Sequence, residues 1–174
     1  GGGGGRTTPI RRATADDVPR LAGLGDITAE EVARYVERGD LCVVAEEDGD
    51  LLAATWASTG TQYLVRLCLD FAIPDDAFYV HDTFTISRAR RRGLAGRCYE
   101  RLFDELALGG RMAAYAAVEL LNDASRRAHA RWGFVPVGRT LTLDVGLLRL
   151  TWTPRWPLPT RRLRIRWMGV SARG

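Results

Sequence analysis

A glycine behind three arginines, Arg90-Arg91-Arg92-Gly93-Leu94-Ala95-Gly96, stands where the sequence changes its period. Before it, residues 78–86 alternate as a strand does; after it, Ala95, Cys98, Tyr99, Leu102 and Leu106 recur at helical spacing until Gly109-Gly110. A strand that hands over to a helix through a glycine turn leaves the first helical N–H groups without partners, at the positive end of the macrodipole. Such a junction is an anion site, and a guanidinium beside it can grip a diphosphate through two hydrogen bonds. With 25 basic residues among 174, every one an arginine, an Arg-x-x-Gly match arises readily by chance, so the motif gains its weight from this strand-turn-helix order.

Elsewhere the same periodicities lay out an α/β chain. Residues 6–13 predict a first strand, and Thr14-x-x-Asp17 a helix start followed by Val18, Leu21 and Ala22. Thr28-x-x-Glu31 is a clearer capping box, opening a helix with Val32, Tyr35 and Val36 on one face and a stop at Gly39. Residues 41–47 and 51–58 predict a hairpin about Asp48-Gly49-Asp50. The alternation of Tyr63, Val65, Leu67, Leu69 and Phe71 predicts an extra strand or hairpin arm at 62–71. A strand at 111–119 follows, then a helix capped by Asn122 or Asp123 that runs through Trp132, with Gly133 as its left-handed cap and Phe134 opening further strands to about Trp152. In the tail, Arg162, Arg164 and Arg166 alternate with Leu163, Ile165 and Trp167. That pattern fits an edge strand shielded by charge, or a surface for a partner or an anionic substrate. Trp152 and Trp156, beside Pro154, Pro157 and Pro159, are expected to pack the tail down.

The hydrophobic fraction, 46%, suffices for one core, so a single domain is expected from residue 6 onward, with an extension from about residue 147. Gly1–5 reads as a disordered leader or a cloning remnant. Net charge is +4, short of the dense clusters typical of nucleic-acid binders. Cys42, Cys68 and Cys98 are scattered without a CxxC or a histidine partner, so neither a disulfide frame nor a zinc site is expected, and they read as core residues. No apolar run reaches bilayer length and no signal segment opens the chain, so the expected location is cytoplasmic.

Two motifs, Arg90-x-x-Gly93-x-Ala95 and the Asn122 helix ending in Gly133-Phe134, together with the element order over about residues 10–143, resemble the GNAT superfamily of acetyl-CoA-dependent N-acetyltransferases. The resemblance implies an α/β (α+β mixed sheet) fold in one domain, its central mixed sheet splayed between two adjacent strands and helices on both faces. It implies acetyl-CoA as co-substrate in the notch between strands 78–86 and 111–119, and no metal. The backbone of Thr83, Phe84 and Thr85 would pair with pantetheine amides. Arg90 would head the phosphate turn, and the N–H groups of Arg91, Arg92, Gly93, Leu94, Ala95 and Gly96 would meet the diphosphate. Asn122 and Ser125 would face the far arm of the cofactor; as a plainer alternative, they only cap a helix and fill its first turn.

The chain's two histidines fall where the family often keeps an acid or a base. His129 stands at the place where many members carry a tyrosine that protonates the departing thiolate. His81 matches the second of two strand histidines resembling the general-base pair of arylalkylamine acetyltransferases, with Tyr79 at the first position. An ammonium must lose a proton before it can attack a thioester carbonyl and form a tetrahedral intermediate, and a histidine of pKa about 6.5 suits that step. Either ring could instead be a hydrogen-bonded core histidine. Strict alternation sets Tyr79, His81, Thr83 and Thr85 on one row and Phe78, Val80, Asp82, Phe84 and Ile86 on the other, so Asp82 interrupts an apolar row and must be paired or functional. Asp82 and Glu119 are the reserve bases; Cys98 as an acyl-carrying nucleophile is disfavoured by its apolar stripe.

The expected activity is acetyl transfer from acetyl-CoA to a primary amine, on a small molecule or a peptide, by direct attack. An arginine-rich surface favours an acidic or phosphorylated acceptor, charged tRNA and a homodimer are left open, and no membrane partner is expected. The competing readings are a non-catalytic acyl-CoA sensor that contacts a partner through residues 162–167, and a basic nucleic-acid binder.

Overall fold

The computed structural model describes residues 7–64, 69–145, 148–155 and 163–167; the predictions for Gly1–5, Val65, Leu67, Cys68, Trp156, Pro157, Pro159 and Arg162 lie outside these residues. The chain forms two compact units, one from the segment up to Gly60 with Ile73–Ala117, the other from Thr61–Ala72 with everything from Val118 onward.

The first unit is built on a mixed five-stranded sheet. Its strands are β1 (Ile10–Arg12), β2 (Leu41–Glu47), β3 (Asp50–Ser58), β6 (Ala77–Thr85) and β7 (Ala113–Ala116), in the order β1-β2-β3-β6-β7. Neighbours pair antiparallel except β6 and β7, which are parallel and are joined by the crossover helix α3 (Leu94–Leu108). Helices α1 (Val18–Leu21) and α2 (Ala29–Arg38) precede β2. The strand predicted at 6–13 is confined to Ile10–Arg12, and that predicted at 111–119 to Ala113–Ala116.

Both central strands, β2 and β3, are buried on two faces, so they read as almost continuous apolar runs. On one face Cys42, Val44, Ala54 and Trp56 pack with Leu21, Ile27 and Val32 from α1, the following loop and α2. Val43, Ala45, Ala53 and Thr55 point the other way, toward the side where α3 buries Leu94, Cys98, Tyr99 and Leu102. Burying these aliphatic side chains supplies about 1.5–3 kcal/mol each, the main force holding the sheet between its helices.

Thr28 accepts from the Glu31 N–H and Glu31 returns a bond to the Thr28 N–H at 2.8 Å, so the predicted capping box starts α2. At its other end Gly39 is left-handed, with φ 78. The N–H of Gly39 bonds Val36 O at 3.0 Å and that of Asp40 bonds Tyr35 O at 2.9 Å, the two bonds of a Schellman turn. This turn folds Asp40 back beneath Tyr35.

In the second unit, β4 (Thr61–Leu64) and β5 (Leu69–Ala72) form an antiparallel hairpin where a single extra strand or hairpin arm was expected. Helix α4 (Asp123–Arg131) is followed by a three-stranded antiparallel sheet of β8 (Arg139–Val145), β9 (Leu148–Arg155) and β10 (Leu163–Trp167), in the order β10-β9-β8. The strand expected to open at Phe134 begins at Arg139, and the tail predicted as an edge strand pairs with β9. Among the described residues no helix is long and apolar enough to cross a membrane.

Candidate active site

Alternation fails at one place in β6, and the site forms around that failure. Trp56 of β3 pairs with His81 and Ala54 with Phe84, so Thr55 faces both Asp82 and Thr83. The extra residue makes a β-bulge, and Asp82 takes a positive φ of 43 to accommodate it. One extra residue reverses the facing of everything beyond it. Thr83 therefore turns toward α3, where its hydroxyl stands 2.7 Å from Thr55 Oγ1 and donates to the Tyr99 hydroxyl at 3.2 Å. Phe84 joins the face of His81, and a Cβ built on Gly25 would lie 2.6 Å from its ring. The two rows drawn from strict alternation hold only as far as His81.

Asp82 leaves the apolar row altogether. Its side chain is 40% exposed and its Oδ2 accepts from the Tyr35 hydroxyl at 2.6 Å and lies 2.9 Å from His81 Nδ1. On the opposite side of the imidazole, Nε2 is 2.8 Å from Ser58 Oγ and 3.3 Å from Asp40 Oδ2. Asp40 is buried, its side chain 1% exposed, and Arg38 forms an ion pair with it. Ser58 donates to Asp40 Oδ2 at 2.7 Å. The Tyr35 ring meets His81 edge-on at 4.8 Å and Tyr79 stacks on it at 5.9 Å.

The cluster sets its own electrostatics. Burial opposes the charge on His81, but hydrogen bonds to Asp40 and Asp82 outweigh it and raise the imidazole pKa above the ordinary 6.5. Burial likewise opposes ionisation of Asp40, yet its bonds from His81, Arg38 and Ser58 hold the carboxyl below the usual 3.8. Sequence reasoning found His81 and Asp82 and missed Tyr35, Asp40 and Ser58. Only the Gly39 stop signal hinted that Asp40 would be folded back.

Beyond the bulge the anion turn follows in sequence. The β6–β7 ladder runs from Ala77/Ala113 to Val80/Ala116, while β6 itself continues to Thr85, so the backbone edge of Asp82, Thr83, Phe84 and Thr85 that faces away from β3 is not used by β7. Arg91 and Gly93 both adopt positive φ, 65 and 73, and Gly93 opens α3 with no side-chain cap. The N–H groups of Leu94, Ala95 and Gly96 are thus the uncapped start of the helix, and the Arg97 N–H makes a helical bond back to Gly93 O at 3.2 Å. Arg90 bonds Thr85 O at 3.4 Å, fastening the turn to the strand end. Arg91 is exposed beside it. The Arg92 guanidinium is engaged with Glu47 at 2.9 Å and Thr8 at 2.8 Å, which leaves its backbone N–H as its contribution to the turn. This donor set, uncapped amides with one exposed guanidinium, fits a diphosphate, and the stretch of β6 edge beyond the end of β7 fits an amide-bearing chain.

The second unit carries its candidate residues on and just before α4. Asn122 accepts from the Ser125 N–H at 3.0 Å, and its own N–H bonds Glu119 O at 3.0 Å, so the helix-cap role expected of it is realised. Phe134 N–H bonds His129 O and Gly133 N–H bonds Ala130 O, a second Schellman turn, with the Phe134 ring 5.2 Å from the His129 ring. His129 Nδ1 lies 2.8 Å from Ser125 O, and a carbonyl can only accept, so that nitrogen carries the proton. The neutral ring then presents Nε2 as an acceptor, and His129 can act as an acid at that atom only as imidazolium.

A family model described as "Acetyltransferase (GNAT) family" matches residues 14–134. None of the curated proteins matches the chain. Among solved structures it is similar to AAC(6')-Iy in complex with the bisubstrate analogue CoA-S-monomethyl-acetylneamine, at 17% identity and TM-score 0.64 over 80% of this chain and 98% of that one. It is similar to a ribosomal-protein-alanine N-acetyltransferase from Brucella melitensis at 20% identity and TM-score 0.60, over 77% and 88% of the two chains. A transcriptional regulator from Bacillus halodurans C-125 shares 13% identity at TM-score 0.61, over 80% and 100%. At these identities the likeness shows a common fold.

Proposed function

Because the chain belongs to the GNAT acetyltransferase family, we propose that it moves an acetyl group from acetyl-CoA to a primary amine at the bulge of β6, with His81 and Asp82 handling the acceptor's proton. One observation carries this reading: a single stretch of chain joins the bulged, polar His81–Asp82 pair to the uncapped start of α3. When bound, acetyl-CoA supplies the thioester carbonyl. Leu94, Ala95 and Gly96 donate backbone N–H groups to its diphosphate with Arg91 alongside, and the edge of Thr83 to Thr85 that β7 leaves unused holds its amide-bearing arm. Solved relatives in complex with CoA or with a CoA-linked acceptor analogue support the choice of cofactor.

Asp82 is the exposed anion of the cluster, so an acceptor arriving as ammonium is drawn to it. His81, whose Nδ1 lies 2.9 Å from Asp82 Oδ2, takes up the ammonium proton once its ring is neutral. Asn122 and Ser125 for the cofactor's far arm and His129 for the leaving thiolate are carried by the sequence resemblance, while Glu119, expected at a strand end but lying beyond the end of β7, is a reserve base from the sequence pattern alone; each is to be tested by its own variant. The acceptor is a small-molecule or peptide amine.

The test is thiol release from acetyl-CoA by the purified protein across a panel of amines. At least one amine is expected to give release above spontaneous hydrolysis, and His81→Ala to slow it by about 100-fold or more. Tight CoA binding with no release for any amine favours the sensor instead.

A further inference from the structure

His81 is held on two sides by unequal carboxylates, one buried and one exposed, and this inequality gives its two nitrogens different jobs. Ser58 has a single hydroxyl proton, and Asp40 Oδ2 receives it at 2.7 Å. Ser58 Oγ also receives a bond from Arg38 at 3.2 Å. The 2.8 Å contact between Ser58 Oγ and His81 Nε2 can then be made only by an Nε2–H donating to the oxygen. Asp40 Oδ2, 3.3 Å from the same nitrogen, supports that proton with its charge. On the other side, Asp82 Oδ2 already accepts from Tyr35, so the 2.9 Å contact with Nδ1 is an Nδ1–H donating to it. Every hydrogen bond around the ring is satisfied by an imidazolium.

We propose that Asp40 is a positioning residue: its buried carboxylate holds the Nε2–H of His81 in place, so that Nδ1, on the exposed Asp82 side, is the nitrogen that gives up and takes back the proton during acetyl transfer. The inference rests on the reading that His81 handles the acceptor's proton. The resting ring first loses its Nδ1 proton to solvent along the exposed Asp82 edge. One N–H bond of the acceptor ammonium then breaks, its electron pair staying on nitrogen for the attack, and that proton passes by way of Asp82 Oδ2, which fills the in-plane position at Nδ1, to restore the imidazolium. As the C–N bond is made the thioester C–S bond breaks, and the thiolate leaves and takes up the second proton that the nitrogen sheds. Among the described residues, the charged and titratable groups around the ring include Tyr35 and Arg38 of α2, Asp40 of the turn after it, and Tyr79 and Asp82 of β6 itself. The buried side thus fixes the tautomer while the exposed side exchanges.

The two histidines make the experiment tractable: ¹⁵N-histidine NMR of the whole chain, with the signals assigned by comparison with a His129→Gln variant. In the wild-type protein His81 is expected to titrate above pH 6.5 and to emerge at high pH as the Nε2–H tautomer. In Asp40→Asn the midpoint is expected to fall by about one pH unit or more, and the acid limb of kcat/KM to move down with it. A high-pH form protonated on Nδ1, or a folded Asp40→Asn protein with an unmoved midpoint, overturns the proposal. If Asp40→Asn does not fold, the wild-type tautomer still decides. The ring is read without substrate, so failure to acetylate any amine sinks the acetyl-transfer reading and not the assignment of the nitrogens.

Discussion

The Tyr35 hydroxyl donates to Asp82 Oδ2 at 2.6 Å, tying α2 to the one residue of β6 that leaves the regular pleat. Burial, then the neighbouring carboxylate, push the phenol well above its ordinary range, so Tyr35 remains a donor at any pH the protein meets. Tyr35→Phe keeps the ring's edge contacts with Trp56 and His81 and deletes this bond alone. Its expected effect is a fall of up to about tenfold in kcat/KM for the amine, the scale of one hydrogen bond to a charged group, with little change in melting temperature. Steady-state kinetics and thermal unfolding read the two effects separately; unchanged kinetics would remove Asp82 from the acceptor's path.

The same cluster makes stability depend on pH in a direction that can be worked out. The folded His81 binds its proton more tightly than the unfolded chain does, so its contribution is complete below pH 6.5 and is lost as pH rises through the raised folded value. Asp40 runs the other way: its contribution is present above pH 3.8 and disappears as pH falls through the lowered folded value. The stability difference between wild type and His81→Gln is therefore expected to be largest below pH 6.5 and to shrink above it. Urea unfolding at a series of pH values measures it, and a difference that grows toward alkaline pH contradicts the assigned shift.

Local chemistry was legible in the sequence and long-range juxtaposition was not. The Thr28/Glu31 box, the Gly39 stop, the 41–58 hairpin and the Gly93 turn all depend on neighbours within a few residues, and each stands where periodicity and turn residues placed it. The bulge at Asp82 depends on what β3 presents opposite it, so strict alternation put Phe84 and Thr83 on the wrong faces. Asp40 and Ser58 reach His81 only through the fold, since one follows a helix and the other ends a different strand. The arginine motif suggested more free guanidinium than the structure supplies, because Arg92 is committed to Glu47 and Thr8.

Asp17 is expected to be the charged residue whose loss costs the first unit most. Its side chain is 2% exposed, takes both nitrogens of the Arg11 fork at 2.6 and 2.8 Å, and also binds Arg20 at 3.0 Å and the Thr14 N–H at 2.8 Å. The Arg11 bonds hold its carboxyl far below the ordinary 3.8. Asp17→Asn leaves Glu46 as the carboxylate partner of Arg11 and is expected to cost about 2 kcal/mol, less than a fully buried pair because Arg11 is partly solvated. Denaturant unfolding at neutral pH tests this, and the gap between the two proteins should close as pH drops below 3.8.

Gly93 tests the anion turn with little interference from packing. A Cβ there meets nothing within 4 Å, so Gly93→Ala adds only the strain of φ 73. That strain is worth about 1–2 kcal/mol and can be relieved by reshaping the turn, which moves the amides of Leu94 to Gly96. Calorimetry is expected to show CoA affinity falling about tenfold while the protein stays folded, the loss expected when a few amide bonds to an anion are misaligned. Unaltered CoA affinity in the folded variant places the diphosphate elsewhere.

Gly25 lies against Phe84, and the two together fix the loop after α1 on the far side of the bulge. An alanine there faces two separate penalties, a positive φ of 77 and a Cβ within 2.6 to 2.9 Å of three ring atoms. The backbone part is about 1–2 kcal/mol and the overlap part about 1–3 kcal/mol. A double-mutant cycle with Phe84→Ala separates them, because removing the ring relieves the overlap and leaves the strain. Gly25→Ala is therefore expected to cost more in the wild-type background than in Phe84→Ala, the difference being the steric part. Equal costs in both backgrounds would mean that the loop yields freely and that Phe84 does not hold it.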